Sequence, residues 1–133
     1  MKHQTDRHVL GIPEMDEQHF YLYSLFDNID NSESVTDAAF TKKLLEELDA
    51  YLLFHFTSEE HFIRMYKVPG FAEHKADHEQ AGERFVLFQN DFENGVLNPS
   101  KLRKFLFSWL KEHSRTSDAL YAEAVLKMRS RAL

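Results

Sequence analysis

The chain has 133 residues, which suits one compact domain with a core of its own and leaves little room for a second. Its hydrophobic fraction is 43%, with twelve Phe to fill that core, and its formal net charge is -6 without a basic stripe, which argues against nucleic acid as a partner. There is no Cys, so a disulfide framework, a thiolate zinc site, an iron–sulfur cluster and a cysteine nucleophile are all excluded.

The first eight residues hold no apolar run of the kind a secretory signal needs. No stretch approaches the roughly 20 apolar residues that span a bilayer, and a soluble cytoplasmic protein is expected. Residues 1–15, with Gly11 and Pro13, read as an N-terminal arm, and 16–133 as a single helical domain. The first helix is expected to take Asp16 as its N-cap, to present His19, Leu22, Tyr23, Phe26 and Ile29 on one face, and to end near Asn31-Ser32. A second helix is expected from about Thr36 or Asp37, with Phe40, Leu44, Leu48, Leu52, His55, Glu59 and Phe62 or Ile63 sharing a face. Lys67-Val68-Pro69-Gly70 breaks it. The third presents His74, His78, Ala81, Phe85, Phe88 and Phe92 and stops at Asn94-Gly95, a C-cap pattern. The fourth begins at Asn98-Pro99, an N-cap followed by Pro at the first helical position, and carries Leu102, Leu106, Trp109, His113, Leu120 and Ala124. Four helices joined by short connections run antiparallel to their neighbours, so the expected fold is an all-α, up-down-up-down four-helix bundle.

A core-facing stripe should be apolar, because a buried polar group without a partner costs several kcal/mol. Here every stripe is interrupted: His19 on the first helix, His55 and Glu59 on the second, His74 and His78 on the third, His113 and nearby Asp118 on the fourth. His55/Glu59 and His74/His78 are spaced i,i+4, which sets both members on one side of a helix. Each group alone has an ordinary explanation, as a hydrogen-bonded core histidine, a local helix pair or a solvated face. Together, five imidazoles and two carboxylates facing one interior, with no Lys or Arg on the same stripes, are badly destabilising unless a cation sits among them. Imidazole and carboxylate without thiolate suit iron, manganese or zinc rather than copper(I). Seven donors are too many for one ion and about right for two. If both carboxylates and a solvent oxygen bridge, a three-to-two split of the imidazoles leaves one metal a coordinate short, and a small ligand such as dioxygen fits there.

The whole pattern resembles the hemerythrins, especially the bacterial single-domain forms: a His on the first helix within Gly11-Ile12-Pro13-Glu14-Met15-Asp16-Glu17-Gln18-His19, then His55-x3-Glu59, His74-x3-His78 and His113-x4-Asp118. The resemblance runs from about Gly11 to Asp118. It implies two iron ions, cycling between Fe2+ and Fe3+ and joined by an oxo or hydroxo bridge. One is held by His74, His78 and His113 and the other by His19 and His55, with Glu59 and Asp118 bridging. It also implies that dioxygen binds end-on at the iron with two His, in a dry pocket lined by Leu22, Phe56, Trp109 and Leu110.

Three departures from the family pattern stand out. Ser114-Arg115 follows the fourth-helix His where relatives carry two aliphatics, and a hydroxyl in the dioxygen pocket admits water, so faster autoxidation than in a typical carrier is expected. Gln4 and His8 stand where relatives often place aromatics, and Tyr66-Lys67-Val68-Pro69-Gly70-Phe71 varies the family's Tyr-Pro turn. The i,i+5 spacing of His113 and Asp118 sets them roughly 140° apart on an ideal α-helix, so one wider turn is expected there. His3, His8 and His61 match no ligand position and are expected at the surface. Reversible dioxygen binding, for storage, transport, delivery or sensing, is the favoured function because no second acid–base constellation appears; a protein that receives the oxygen is compatible with it. A diiron enzyme (peroxidase, oxidase or nitric oxide reductase) and an iron-binding module are the alternatives.

Overall fold

A computed structural model describes residues 9–31 and 36–132, and its regular structure is entirely helical. In chain order the elements are α1 (Pro13–Asp27), α2 (Ala38–Met65), α3 (Phe71–Glu93), α4 (Pro99–His113), a π-helical turn (Ser114–Asp118) and α5 (Ala119–Ala132). The last three run on as one rod, so the molecule has four rods. α1 packs on α2 and α4, and α3 packs on the same two, which closes the expected antiparallel bundle. No helix among the described residues is long and apolar enough to cross a membrane.

The helix ends follow from their sequences. Asp37 caps α2 by accepting hydrogen bonds from the amides of Ala39 at 3.0 Å and Phe40 at 3.2 Å. Asn98 caps α4 by accepting from Lys101 at 3.1 Å, with Pro99 in the first turn. Gly95 ends α3 with φ +72°, a left-handed conformation that a Cβ would penalise.

The interior is layered along the rods. On α1 the order is Met15, His19, Leu22; on α2 it is Leu52, His55, Glu59, Phe62; on the fourth rod it is Leu110, His113, Asp118, Tyr121. A polar layer therefore lies between two apolar clusters. The larger is built on Leu22, Phe26, Leu44, Leu48, Phe85, Leu102 and Leu106, the smaller on Ile12, Met15, Phe62, Ile63, Tyr121 and Val125. Each such side chain contributes roughly 1.5–3 kcal/mol on burial, and these two clusters hold the rods around a layer that cannot stabilise itself.

Three expectations need correction. α1 starts at Pro13, not after Asp16, because Pro13 is preorganised for a first helical position. Asp16 lies inside the helix, buried, and its carboxylate turns back to accept from the amides of Leu10 at 2.8 Å and Gly11 at 3.0 Å, docking the arm. α1 also ends at Asp27, with Ile29 still buried in the following turn; Ser32 lies outside the described residues, as do His3, Gln4 and His8. Finally, Leu120 is 73% exposed, and the buried positions beyond His113 are Ser114, Asp118, Tyr121, Ala122 and Val125. The π turn inserts one residue into the helical repeat, which rotates everything after it by one position and carries Leu120 and Ala124 off the inward stripe.

Candidate metal centre

The structure brings all seven interrupting side chains together. His19, His55, Glu59, His74, His78, His113 and Asp118 are all buried, and the five imidazoles turn Nε2 inward. Glu59 divides its oxygens between two groups. Oε2 lies 3.2 Å from Nε2 of both His19 and His55, while Oε1 lies 3.2 Å from His74, 2.9 Å from His78 and 3.6 Å from His113. Asp118 divides likewise, with Oδ2 at 3.4 Å from His19 and Oδ1 at 3.0 Å from both His74 and His113. Donor atoms of Glu59, His74, His78 and His113 form one compact set, and those of His19, His55 and Glu59 form a second. The π turn makes the Asp118 arrangement possible: Ala119 N–H donates to the Ser114 carbonyl, an i→i+5 bond, so His113 and Asp118 face the same interior.

Outside this layer, three of the outer ring nitrogens find partners that sequence reasoning missed, while Nδ1 of His19 is buried without one. Nδ1 of His55 lies 2.8 Å from Gln18 Oε1, and Nδ1 of His78 lies 2.9 Å from Glu60 Oε2. Nδ1 of His113 pairs with Asp77. Such contacts fix the ring orientation and make the inward nitrogen a better donor. Tyr121, buried at the edge of the layer, donates to Glu59 Oε2 at 3.3 Å. Gln18 and Asp77 each stand one residue before a motif His, and Tyr121 three residues after Asp118; adjacency was the one legible clue.

Electrostatically the layer is built around missing positive charge. No Lys or Arg pairs with Glu59 or Asp118 among the described residues, and every ion-pair partner they have is an imidazole. Burial opposes protonation of His19, His74 and His113, but the close approach and attraction of the Asp118 and Glu59 carboxylates outweigh it and raise the three to about 9, 9 and 11. His55 goes the other way, lowered because complete burial wins. Burial opposes ionisation of Glu59 too, yet the surrounding imidazoles hold its carboxyl well below the usual range. Both Asp118 oxygens and His55 Nε2 are buried without an aligned hydrogen-bond partner. A cation among these atoms satisfies all of them at once, and the donor chemistry fits one or two divalent ions.

The expected pocket residues surround this layer. Leu22 and Leu110 are buried in the larger apolar cluster. Phe56 stacks on His78 at 4.2 Å between ring centres and reaches His55 at 5.9 Å, and Trp109 stacks on His113 at 4.6 Å. Ser114 is buried one turn beyond Leu110, and its hydroxyl has no hydrogen-bond partner. Arg115 is exposed, pairs with Glu112, and takes no part in the layer. His61 is exposed, as expected.

Residues 10–125 match the family model of the hemerythrin HHE cation binding domain. The chain belongs to the hemerythrin family. Among its hemerythrin relatives, a bacteriohemerythrin of Stenotrophomonas maltophilia (strain R551-3) is 28% identical over 116 residues, covering 87% of this chain and 76% of that protein. A bacteriohemerythrin of Pseudomonas aeruginosa (strain LESB58) is 29% identical over 115 residues, covering 86% and 75%. A crystal structure of wild-type hemerythrin superposes with a TM-score of 0.76 at 25% identity, covering 84% of this chain and 87% of that one. The hemerythrin fold thus agrees with the layered bundle and with a cation-binding role for its interior.

Proposed function

We propose that this hemerythrin-family chain is a non-haem diiron protein that binds dioxygen reversibly. The observation that carries the proposal is the division of two buried carboxylates, each giving one oxygen to a three-imidazole group and the other to the two-imidazole side. In this reading His74, His78 and His113 would hold one iron and His19 and His55 the other, with Glu59 and Asp118 shared between them. When bound, the iron pair supplies the two electrons that dioxygen takes up and gives back.

The chain's own residues account for the rest. The two-imidazole side has one protein donor fewer, which would leave a position there for a small ligand. Leu22, Phe56, Trp109 and Leu110 keep water and anions from that position, because an apolar lining gives them no hydrogen bonds in exchange for those of bulk solvent. Gln18, Glu60 and Asp77 hold three of the imidazoles in orientation. Tyr121 holds a proton on its phenol, which burial and the neighbouring carboxylates push far above its usual range, and so acts toward Glu59 as a hydrogen-bond donor only.

The test is anaerobic reconstitution with ferrous iron followed by admission of oxygen. A peroxide-to-iron charge-transfer band that forms and then disappears on deoxygenation supports reversible binding. A second reading, a diiron oxidase or peroxidase, is favoured by one observation, the buried unpartnered hydroxyl of Ser114, which can hold a water or a proton in the pocket. Irreversible bleaching with release of hydrogen peroxide that continues over many turnovers when a reductant is supplied selects the oxidase.

A further inference from the structure

A second cavity, about 520 Å³, lies on the outer side of α3 and α4, away from the polar layer. Three cations line it, Arg84, Lys101 and Lys104, together with three aromatic rings, Phe88, Phe105 and Trp109, and no carboxylate. The helical repeat explains the grouping. Arg84 and Phe88 are i,i+4 on α3, and Lys101, Phe105 and Trp109 lie at successive four-residue steps on α4, with Lys104 three residues after Lys101. The Arg84 guanidinium sits over the Phe105 ring at 4.7 Å, and Phe88 stacks on Phe105 at 5.7 Å.

Two features of this cavity point to a ligand. None of its three cations forms an ion pair among the described residues, in a chain whose net charge is -6. Like charges one helical turn apart, as Lys101 and Lys104 are, repel, and an anion between them relieves that repulsion. The second feature is Trp109. It lines the cavity and also stacks on the His113 imidazole at 4.6 Å with an interplanar angle of 12°. From the cavity to the polar layer the path is therefore one indole and one imidazole, in van der Waals contact.

The geometry points to a binding site for a planar aromatic compound carrying a phosphate, of the flavin mononucleotide class, which in its reduced form returns electrons to the centre through Trp109 and His113. Positive charge takes the phosphate, and the aromatic walls and the Arg84 plane take the ring. The role rests on the diiron reading above, in which an oxidised centre must be reduced before it binds dioxygen again. The balance is simple: the dihydroflavin loses two electrons and two protons and becomes oxidised flavin, two ferric ions become two ferrous ions, and the protons go to solvent.

Trp109 is the only Trp in the chain, so its fluorescence lifetime reports on this cavity in the full-length metal-free protein. Oxidised flavin mononucleotide should shorten that lifetime saturably. Lys101→Glu with Lys104→Glu should weaken binding by about tenfold or more, as should replacing the nucleotide by riboflavin, which lacks the phosphate. No saturable change up to about 1 mM, or equal affinity for the parent and the double variant, overturns the site; an acidic protein as the true occupant would produce the first of these results. In the iron-loaded, oxidised protein, reduction by sub-saturating dihydroflavin mononucleotide under argon should slow by about tenfold in the double variant. An unchanged rate overturns the electron-delivery role. Failure of the diiron reading would show separately, as no iron uptake, while the lifetime titration still reads out binding.

Discussion

The two halves of the polar layer share Glu59 and Asp118 but meet their surroundings differently. His74 and His113 border a cavity of about 760 Å³ that is also lined by Asp77, Glu112 and Thr116, and His78 and His113 are held from behind by Glu60 and Asp77. His19 and His55 are 0% exposed and have only the neutral Gln18 behind them, with Leu22 and the larger apolar cluster on one side. The side that solvent can approach thus has three imidazoles and is braced by carboxylates. The side that is a donor short is the enclosed one. On the proposed diiron reading, solvent access and the position left for a small ligand are kept apart.

The difference can be broken most forcefully by removing one imidazole from each half. His113→Ala takes away a donor that also aligns Asp118 and Trp109, and it should reduce bound iron from two per chain to one or none and abolish the dioxygen band. His19→Ala should leave the braced half loaded, with one iron per chain by elemental analysis. Loss of both iron ions from His19→Ala would show that the halves do not load separately.

A smaller effect sharpens the role of the bracing carboxylates. Asp77→Asn keeps the shape but removes the charge behind His113, and should weaken metal binding by about 10–100-fold in a chelator competition. Gln18→Glu, behind His55, should change it less, because that position works without charge in the parent.

Without metal, protons take the place of the cations, and the sign of the pH effect follows. His19 and His74 are raised from 6.5 to about 9, so the stability they contribute is complete below 6.5 and lost as pH rises through about 9. His113, raised to about 11, loses its share higher still. Glu59 and Asp118 are lowered, so their contribution is present above the usual carboxylate range and lost as pH falls through it. The metal-free protein should therefore melt at least about 5 °C lower at pH 10 than at pH 6.5. A flat profile would mean that the carboxylates do not govern the imidazoles.

The smallest change concerns Ser114. Ser114→Ala removes a buried hydroxyl without a partner, and should stabilise the protein by about 1 kcal/mol in denaturant unfolding and slow autoxidation of the oxygenated form. Unchanged autoxidation would remove the hydroxyl from any account of the pocket.

Much of this was legible in the sequence because periodicity is a direct image of burial. The inward stripes of α1, α2 and α3 and the caps at Asp37 and Asn98 follow from the three-and-four repeat and from a few polar residues at its ends. The seven polar interruptions could be grouped because nothing else on those stripes could neutralise them. What failed were features that depend on local backbone geometry. The spacing of His113 and Asp118 predicts the wider turn between them, but the rotation of Leu120 outward and Tyr121 inward depends on where in that interval the extra residue is placed. Asp16 looked like a cap by composition, but Pro13 had already begun the helix. Gln18, Asp77 and Tyr121 look like ordinary polar residues on a helix, and only the fold shows which imidazole or carboxylate each one faces.

The most direct test of the central claim is anomalous diffraction at the iron edge from crystals of the protein reconstituted with ferrous iron. Two peaks in the polar layer, one among His74, His78 and His113 and the other beside His19 and His55, with Glu59 and Asp118 between them, are the predicted result. A well-ordered protein with no peak there, or with a single peak bound by all five imidazoles, would contradict it.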